Sequence, residues 1–296
     1  MAAQPWTWHH INTDNQDSTT QAKQEYGLTA EQISYAKDRF ERAHVEYDVL
    51  TKTFLMVFNI PDADDDAAQE EQHQMAFIIK DGLLLSFGHA DADPLIHRLI
   101  TRFPTVEDYS PYQFLLEMLY IVTEQFMPLI EKAEGERHRI TKALRDKTTR
   151  ARLLDLSDLE TNALYLNNAT RQNSSVLEQL KGISVYHNFS QAEQERLEDV
   201  LIEANQLVEM TQLGSQNLNQ LESTYNNVLN NNLNDTMKFL TVWSLVLAVP
   251  TIISGFFGQN VQVPFEHSAT GWVFTLGIAL VLSFVVGLMI WRYVKK

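Results

Sequence analysis

The chain of 296 residues contains no cysteine and few basic residues, with 23 Lys and Arg against 38 Asp and Glu. The absence of thiols excludes disulfides, thiolate metal sites and cysteine nucleophiles, so any metal must be held by oxygen or imidazole ligands. The formal charge of -15 argues against binding to nucleic-acid phosphates and makes cations the expected partners. We therefore expect no nucleic-acid partner.

The chain also lacks the common catalytic motifs. No Gly-Lys pair occurs, so the Walker A phosphate loop is absent, and neither a zinc-protease pattern nor a serine elbow is present. We expect neither an enzyme nor a bound cofactor. Residues 1–21 lack a basic start followed by an apolar stretch, so we predict no secretory signal there and expect a cytoplasmic N-terminal region.

Two apolar runs rich in Phe, Ile and Val, residues 53–60 and 75–87, predict β-strands. Asp81-Gly82 interrupts the second run and is typical of a tight hairpin turn. Helical patterns flank these strands, so we predict an α/β cytoplasmic domain over residues 1–130.

The predicted helices of this domain precede and follow the strands in the sequence. Apolar spacing predicts one helix over residues 29–49, and Asp93-Pro94 opens another with its first-turn proline. Six acids occur in residues 62–71, between the strands. That segment either collects cations or forms a solvated loop, and we favour the loop.

From residue 110 onward the pattern becomes helical and stays so. We predict a break near Pro128, because proline removes a helical hydrogen bond, and a second helical segment over residues 136–180. A capping box, Ser190 with Glu193 three residues later, starts a further helix.

That further helix meets no breaker before the first long apolar run. It would contain about 65 residues and extend roughly 100 Å at 1.5 Å per residue. Such a length exceeds that of ordinary globular helices, so we predict a long α-helical stalk over residues 131–235.

The lower end of this helix is rich in asparagine, which is a poor helix former. Glu222 is the only acid between Glu209 and Asp235. Two interpretations stay open: a neutral vestibule lined by amides, or buried hydrogen bonding between helices. The asparagines are Asn217, Asn219, Asn226, Asn227, Asn230, Asn231, Asn232 and Asn234.

Residues 239–257 and 271–291 carry no charge before the terminal basic residues, and each is close to the roughly 20 residues that cross a bilayer. We predict a transmembrane hairpin over residues 236–296, with an outer loop over residues 258–270. Lys and Arg flank the two spans but are absent from the loop. The positive-inside rule therefore places both termini in the cytoplasm.

Each span has a side of small or weakly polar residues. In the first span this side either lines a pore or packs against another helix, and in the second span it predicts helix packing. Two helices cannot enclose an aqueous path, so conduction would require a ring of several copies. The first-span positions are Thr241, Ser244, Ala248, Thr251, Gly255 and Gly258, and the second-span positions are Thr275, Ala279, Ser283 and Gly287.

The stretch NNNLNDTMKFLTVWSLVLAVPTIISGFFGQNVQVPF, residues 230–265, resembles the CorA-type divalent cation transporters. That family carries a Gly-Met-Asn signature after its first span. Gly258 and Asn260 match the signature, whereas Gln259 replaces the methionine. The resemblance extends to the order of segments: an acidic α/β domain, long helices and two C-terminal spans.

The resemblance implies a funnel-shaped homopentamer in the plasma membrane whose pore follows the first span. It implies transport of Mg²⁺ or Co²⁺ driven by the electrochemical gradient, with Gly258, Gln259 and Asn260 forming the outer mouth and Asn260 binding the hydrated ion. Glu222 is the candidate regulatory metal ligand. The expected lining residues are Asn234, Met237, Leu240, Thr241, Ser244, Ala248, Thr251 and Gly255, of which Leu240 rests on the resemblance alone.

Two alternatives remain. One is transport of zinc or another transition metal, with or without proton coupling, for which Glu266 and His267 are candidate loop ligands. The other is a membrane-anchored sensor or scaffold that does not conduct, because Gln259 departs from the family signature. A flux measurement would separate these alternatives from magnesium transport.

Overall fold

The computed structural model describes residues 6–61, 73–103, 109–146, 148–259 and 270–294. The chain divides into two compact units, Met1–Glu222 and Ser223–Lys296. The acidic run over residues 62–71 lies outside the described residues. The N-terminal unit contains a mixed sheet with helices on both faces, which confirms the predicted α/β class.

The sheet has five strands in the spatial order β1-β5-β4-β3-β2. Strand β1 pairs parallel with β5, and the other neighbouring pairs are antiparallel. The predicted strands correspond to β3, β4 and β5, and the sequence patterns missed β1 and β2. The bounds are β1 Thr7–Asn12, β2 His44–Asp48, β3 Thr53–Ile60, β4 His73–Lys80 and β5 Leu83–Gly88.

The turn between β4 and β5 confirms the prediction for Asp81-Gly82. Asp81 has φ of 50° and Gly82 has φ of 78°. A two-residue hairpin with positive φ at both positions matches the right-handed twist of the strands, and Asp and Gly are the residues that tolerate it. The turn therefore sets the register of the central hairpin locally.

Strand β3 is buried along its whole length because helices cover both faces of the sheet. One face carries Leu55 and Val57, which pack with helices α1 (Gln16–Glu25) and α2 (Ala30–Lys37). The other face carries Phe54, Met56 and Phe58 in the larger core. Helices α3 (Asp93–Arg102) and α4 (Pro111–Glu124) contribute apolar residues to that core.

The predicted helix over residues 29–49 is wrong in its second half. Helix α2 ends at Lys37, and residues 44–48 form β2 against β3. Phe40, which fitted the helical spacing, is 81% exposed and belongs to no apolar face. Pairing with β3 satisfies the backbone of residues 44–48, so a long-range contact overrides the local spacing.

The helical segments after residue 110 are also divided differently from the prediction. The break lies at Gln125, and Pro128 falls within the first turn of α5 (Phe126–Asp146). The expected helix over residues 136–180 is two helices, because α6 (Arg150–Leu180) begins after its own N-cap, Thr149. Proline is tolerated in a first turn, where its missing N–H has no helical partner.

A side-chain amide on helix α6 forms hydrogen bonds with the sheet. The Asn59 backbone N–H donates to Asn173 Oδ1 at 2.8 Å, and Asn173 Nδ2 donates to the Asn59 carbonyl at 2.9 Å. Asn173 thus pairs with the backbone of β3 as a neighbouring strand would. Both residues are buried, so this pairing satisfies polar groups that water cannot reach.

Helix α7 (Gln191–Phe257) is continuous over 67 residues, as predicted from the missing breakers. Its capping box is confirmed: Glu193 N–H donates to Ser190 Oγ, and the Ser190 backbone N–H donates to the Glu193 carboxylate. Helix α8 (Gly271–Val294) follows. Both α7 and α8 contain segments long and apolar enough to cross a membrane.

Candidate ion pathway

Helix α8 packs along one side of the C-terminal part of α7. Ala279 and Ser283 are only 7% and 8% exposed. A Cβ added to Gly287 would lie 3.2 Å from Val246 Cγ2 on α7, so the two helices approach closely there. The predicted packing side of the second span is therefore confirmed: small residues bring α8 against α7.

The predicted lining residues of the first span lie on the other side of α7. At about 100° per residue, all of them fall within about 60° of the direction opposite to Val246. Ala248 is half-buried, and the others are exposed: Asn234, Met237, Leu240, Thr241, Ser244, Thr251 and Gly255. We call this set, with Ala248, the exposed side of α7. It is available for contact with other copies or with an aqueous path.

Threonines on the exposed side present oxygen lone pairs outward. Thr241 Oγ1 donates to the Met237 carbonyl at 2.8 Å, and Thr251 Oγ1 donates to the Leu247 carbonyl at 3.1 Å. Because each hydroxyl proton is used within the helix, its oxygen keeps accepting capacity. Such a surface suits the waters around a cation, which donate hydrogen bonds.

Gly258 follows the end of α7 at a point with little room for a side chain. Its N–H donates to the Ser254 carbonyl at 2.9 Å. A Cβ on Gly258 would lie 3.0 Å from that same carbonyl oxygen, so a larger residue would fit only if the backbone moved slightly. Gln259 comes next and is exposed. Asn260 and the two loop candidates, Glu266 and His267, lie outside the described residues.

The asparagines toward the lower end of α7 are exposed in the single chain, including Asn234 and all the others in the predicted set. One charged pair interrupts this neutral surface, since Lys238 Nζ lies 3.1 Å from Asp235 Oδ1. Because these asparagines are exposed in the single chain, neither a vestibule nor hydrogen bonding between helices of different copies is formed within one protomer, and both interpretations stay predictions.

Glu222 has an acidic neighbour that the sequence did not indicate. Burial and the charge of Glu222 raise the pKa of Glu160, on α6, above its ordinary value of 4.5. The two carboxyl groups lie on different helices, so no local motif connects them. Over the described ranges, no three His, Asp or Glu side chains form a group that could hold a metal. The regulatory role of Glu222 stays a prediction.

The family model described as CorA-like Mg²⁺ transporter protein matches residues 3–296. The cobalt/magnesium transport protein CorA of Methanocaldococcus jannaschii is 24% identical over 267 residues, covering 88% of this chain and 82% of that protein. The complete structure of the CorA magnesium transporter from Methanocaldococcus jannaschii aligns with a TM-score of 0.80 at 20% identity, covering 95% of this chain and 89% of that one. The full-length CmaX structure aligns with a TM-score of 0.73 at 12% identity, covering 96% and 88%. The fold is thus shared, and the match over nearly the whole length shows that this chain belongs to the CorA-like Mg²⁺ transporter family.

Proposed function

We propose that this chain transports divalent cations, magnesium or cobalt, across the plasma membrane through a pore built by several copies. Family membership supports metal-ion transport as the activity, and the relative named as a cobalt/magnesium transport protein supports the choice of ions. The electrochemical gradient of the ion supplies the driving force. Family membership favours this function over zinc transport and over a sensor that does not conduct.

The observation that carries the pore proposal is the exposed side of α7. Apart from Met237 and Leu240, it consists of small or polar residues in a helix otherwise rich in large apolar ones, and it faces away from α8. In a ring with rotational symmetry, the same side of every copy meets the axis. A funnel-shaped homopentamer with both termini in the cytoplasm is the arrangement that we propose.

The proposed path binds the ion weakly, which suits conduction. Mg²⁺ releases its water reluctantly, so neutral amides at Asn260 and hydroxyls at Thr251 and Thr241 would hold the hydrated ion through its water shell. Carboxylates in these places would bind the ion more tightly and slow its release. A divalent ion that moves inward through 100 mV releases about 4.6 kcal/mol, twice the value for one charge. The membrane potential can therefore drive uptake without nucleotide hydrolysis.

The first test measures metal flux into liposomes that contain the purified full-length protein. We expect Asn260→Ala to abolish Mg²⁺-dependent flux while native mass spectrometry still detects the pentamer. Unchanged flux in this variant would reject the role of Asn260. The panel should include Co²⁺, Ni²⁺ and Zn²⁺ with and without a pH gradient, because proton-driven zinc flux would support the zinc alternative.

A matched serine pair tests the geometry of the path. Ser244 lies on the exposed side of α7, whereas Ser254 lies on a lateral side of the same helix, and both are exposed in the single chain. We expect Ser244→Leu to lower flux at least tenfold and Ser254→Leu to leave it within twofold. Equal effects of the two changes would contradict the assignment of the exposed side to the pore.

A further inference from the structure

A pocket of about 390 Å³ lies between α5, α6 and α7 within the N-terminal unit. Its lining is mainly apolar and includes Ala163 and Leu166 of α6. Gly214 of α7 leaves it open, because a Cβ added there would meet no atom within 4 Å. The volume falls within the range of about 300–1,000 Å³ that is usual for ligand sites, so the pocket can take one or two large side chains.

Helix α6 carries two large exposed side chains on the side opposite to this pocket. Leu164 is 53% exposed and Tyr165 is 44% exposed. At about 100° per residue, each of them lies about 130° from the mean direction of Ala163 and Leu166, which line the pocket. We call Leu164 and Tyr165 the projecting pair. One copy of the chain thus has a pocket on one side of α6 and apolar projections on the other.

The projecting pair and the pocket lie at the same level of the helices. Helices α6 and α7 run antiparallel, since Ser174 Oγ donates to Asn205 Oδ1 at 2.7 Å and Ser215 Oγ donates to the Ala163 carbonyl at 3.4 Å. The second of these contacts is adjacent in sequence to both the projecting pair and the glycine of the pocket. Rotation about an axis along α7 leaves this level unchanged, so the two surfaces can meet in a ring of copies. The inference rests on the proposed function in this one respect.

The electrostatics of these two surfaces also suit contact between copies. Each copy has a formal charge of -15, so acidic surfaces of two copies repel each other. Residues 210–221 of α7 carry no charge, and Glu160 is the only charged residue in the 159–170 segment of α6. Glu160 is half-buried, and burial raises the pKa of its carboxyl. Because interface cores are depleted of charged residues, these segments are where a second copy approaches at least electrostatic cost.

We infer that the projecting pair of each copy docks into the pocket of the neighbouring copy, beside its Gly214. Each copy then gives its projecting pair to one neighbour and its pocket to the other, which is the head-to-tail contact that a closed ring requires. Tyr165 suits this position because its ring is apolar, while its hydroxyl can donate to Glu134 or Asn217 at the pocket. The docking holds α6 of one copy against α7 of the next.

The test uses the absence of cysteine from the chain. Tyr165→Cys and Gly214→Cys are introduced together into the full-length protein, and a short bismaleimide is added to membranes that contain it. Denaturing electrophoresis then measures the fraction of covalently linked chains. Leu154→Cys with Gly214→Cys is the matched control. Leu154 is 55% exposed and lies within about 20° of Tyr165 around α6, but about 16 Å further along the helix.

We expect Tyr165→Cys with Gly214→Cys to give linked chains, and the control pair to give at least tenfold less product. When Tyr165→Cys and Gly214→Cys are placed in separate, differently tagged chains and expressed together, the product should contain one chain of each kind. Equal yields from the two double variants, or no product from protein that native mass spectrometry shows as an oligomer, would overturn the inference.

A second pair of variants tests the contact without cross-linking. Tyr165→Glu places an acid where the pocket already has Glu131 and Glu134, so it should lower the oligomer fraction in dilute detergent severalfold, whereas Leu154→Glu should not. Equal fractions would also count against the docking. A protein that cross-links as expected but passes no metal would contradict only the transport proposal, whereas a monomeric protein would overturn both.

Discussion

Replacing Glu193 with alanine is expected to loosen the starts of two helices at once. Glu193 is 7% exposed, and its carboxylate accepts from the Ser190 backbone N–H at 2.6 Å and from the Ser190 hydroxyl at 2.8 Å. It also accepts from the hydroxyl of Ser110, which is the N-cap of α4. One carboxylate thus connects the first turn of α7 to the first turn of α4.

The loss of folding stability in Glu193→Ala follows from these contacts. Loss of the capping interaction costs about 1 kcal/mol, and loss of the hydrogen bond from Ser110 to a charged acceptor costs about 1.5–3 kcal/mol. The Ser190 hydroxyl turns toward water, because Ser190 is exposed, and so adds little. We expect Glu193→Ala to lower the free energy of unfolding by about 2–4 kcal/mol and Glu193→Gln, which keeps one acceptor oxygen, by about half as much.

The assay combines unfolding of the full-length protein in detergent with amide hydrogen exchange. Glu195→Ala is the matched control, because Glu195 is exposed in the same turn of α7 and should change stability by less than about 0.5 kcal/mol. Exchange in Glu193→Ala should rise at the starts of both α4 and α7. A loss no greater than that of the control, or exchange that rises at α7 alone, would refute the reasoning.

Two further predictions concern helix packing and pH. Gly287→Leu should destabilise the contact between α8 and α7 by about 1–3 kcal/mol, because its Cβ meets Val246. Gly277→Leu should not, because a Cβ at Gly277 meets no other atom. Thermal unfolding in detergent compares the two variants, and equal midpoints would contradict the packing. Glu160→Gln should stabilise the protein at pH 7 by less than about 1 kcal/mol, because a raised carboxyl pKa means that the charged form is disfavoured in the folded state. This advantage should shrink as the pH falls through the raised pKa of Glu160, since the wild-type carboxyl is then neutral, and an advantage that grows toward acid would show that the sign is wrong.

Several elements were predictable because their signals are local. The turn at Asp81-Gly82 depends on two adjacent residues with positive φ, and the start of α7 depends on Ser190 and Glu193, three positions apart. The two apolar segments are recognisable from length and composition alone. Each signal lies within one turn of backbone or one uncharged run, so no distant contact is needed to interpret it.

The errors arose where a distant contact outweighed local spacing. Residues 44–48 have a helical pattern when joined to α2, yet they pair with β3 as an edge strand. Helix α5 ends before α6 although neither glycine nor proline separates them. Strand β1 was missed because its polar residues are partly exposed and it is ordered by parallel pairing with β5, far along the chain.

Composition and spacing alone were enough to establish the acidic character, the absence of thiol chemistry, the two spans and the small or weakly polar side of the first span, from Thr241 to Gly255. They did not establish which side of α7 meets α8, nor that Glu160 lies near Glu222 or Ser110 near Glu193. Those relations join residues on different helices, and their energy depends on close approach of side chains after the chain has folded. A local sequence pattern carries no information about such distances, so only the tertiary structure decides them.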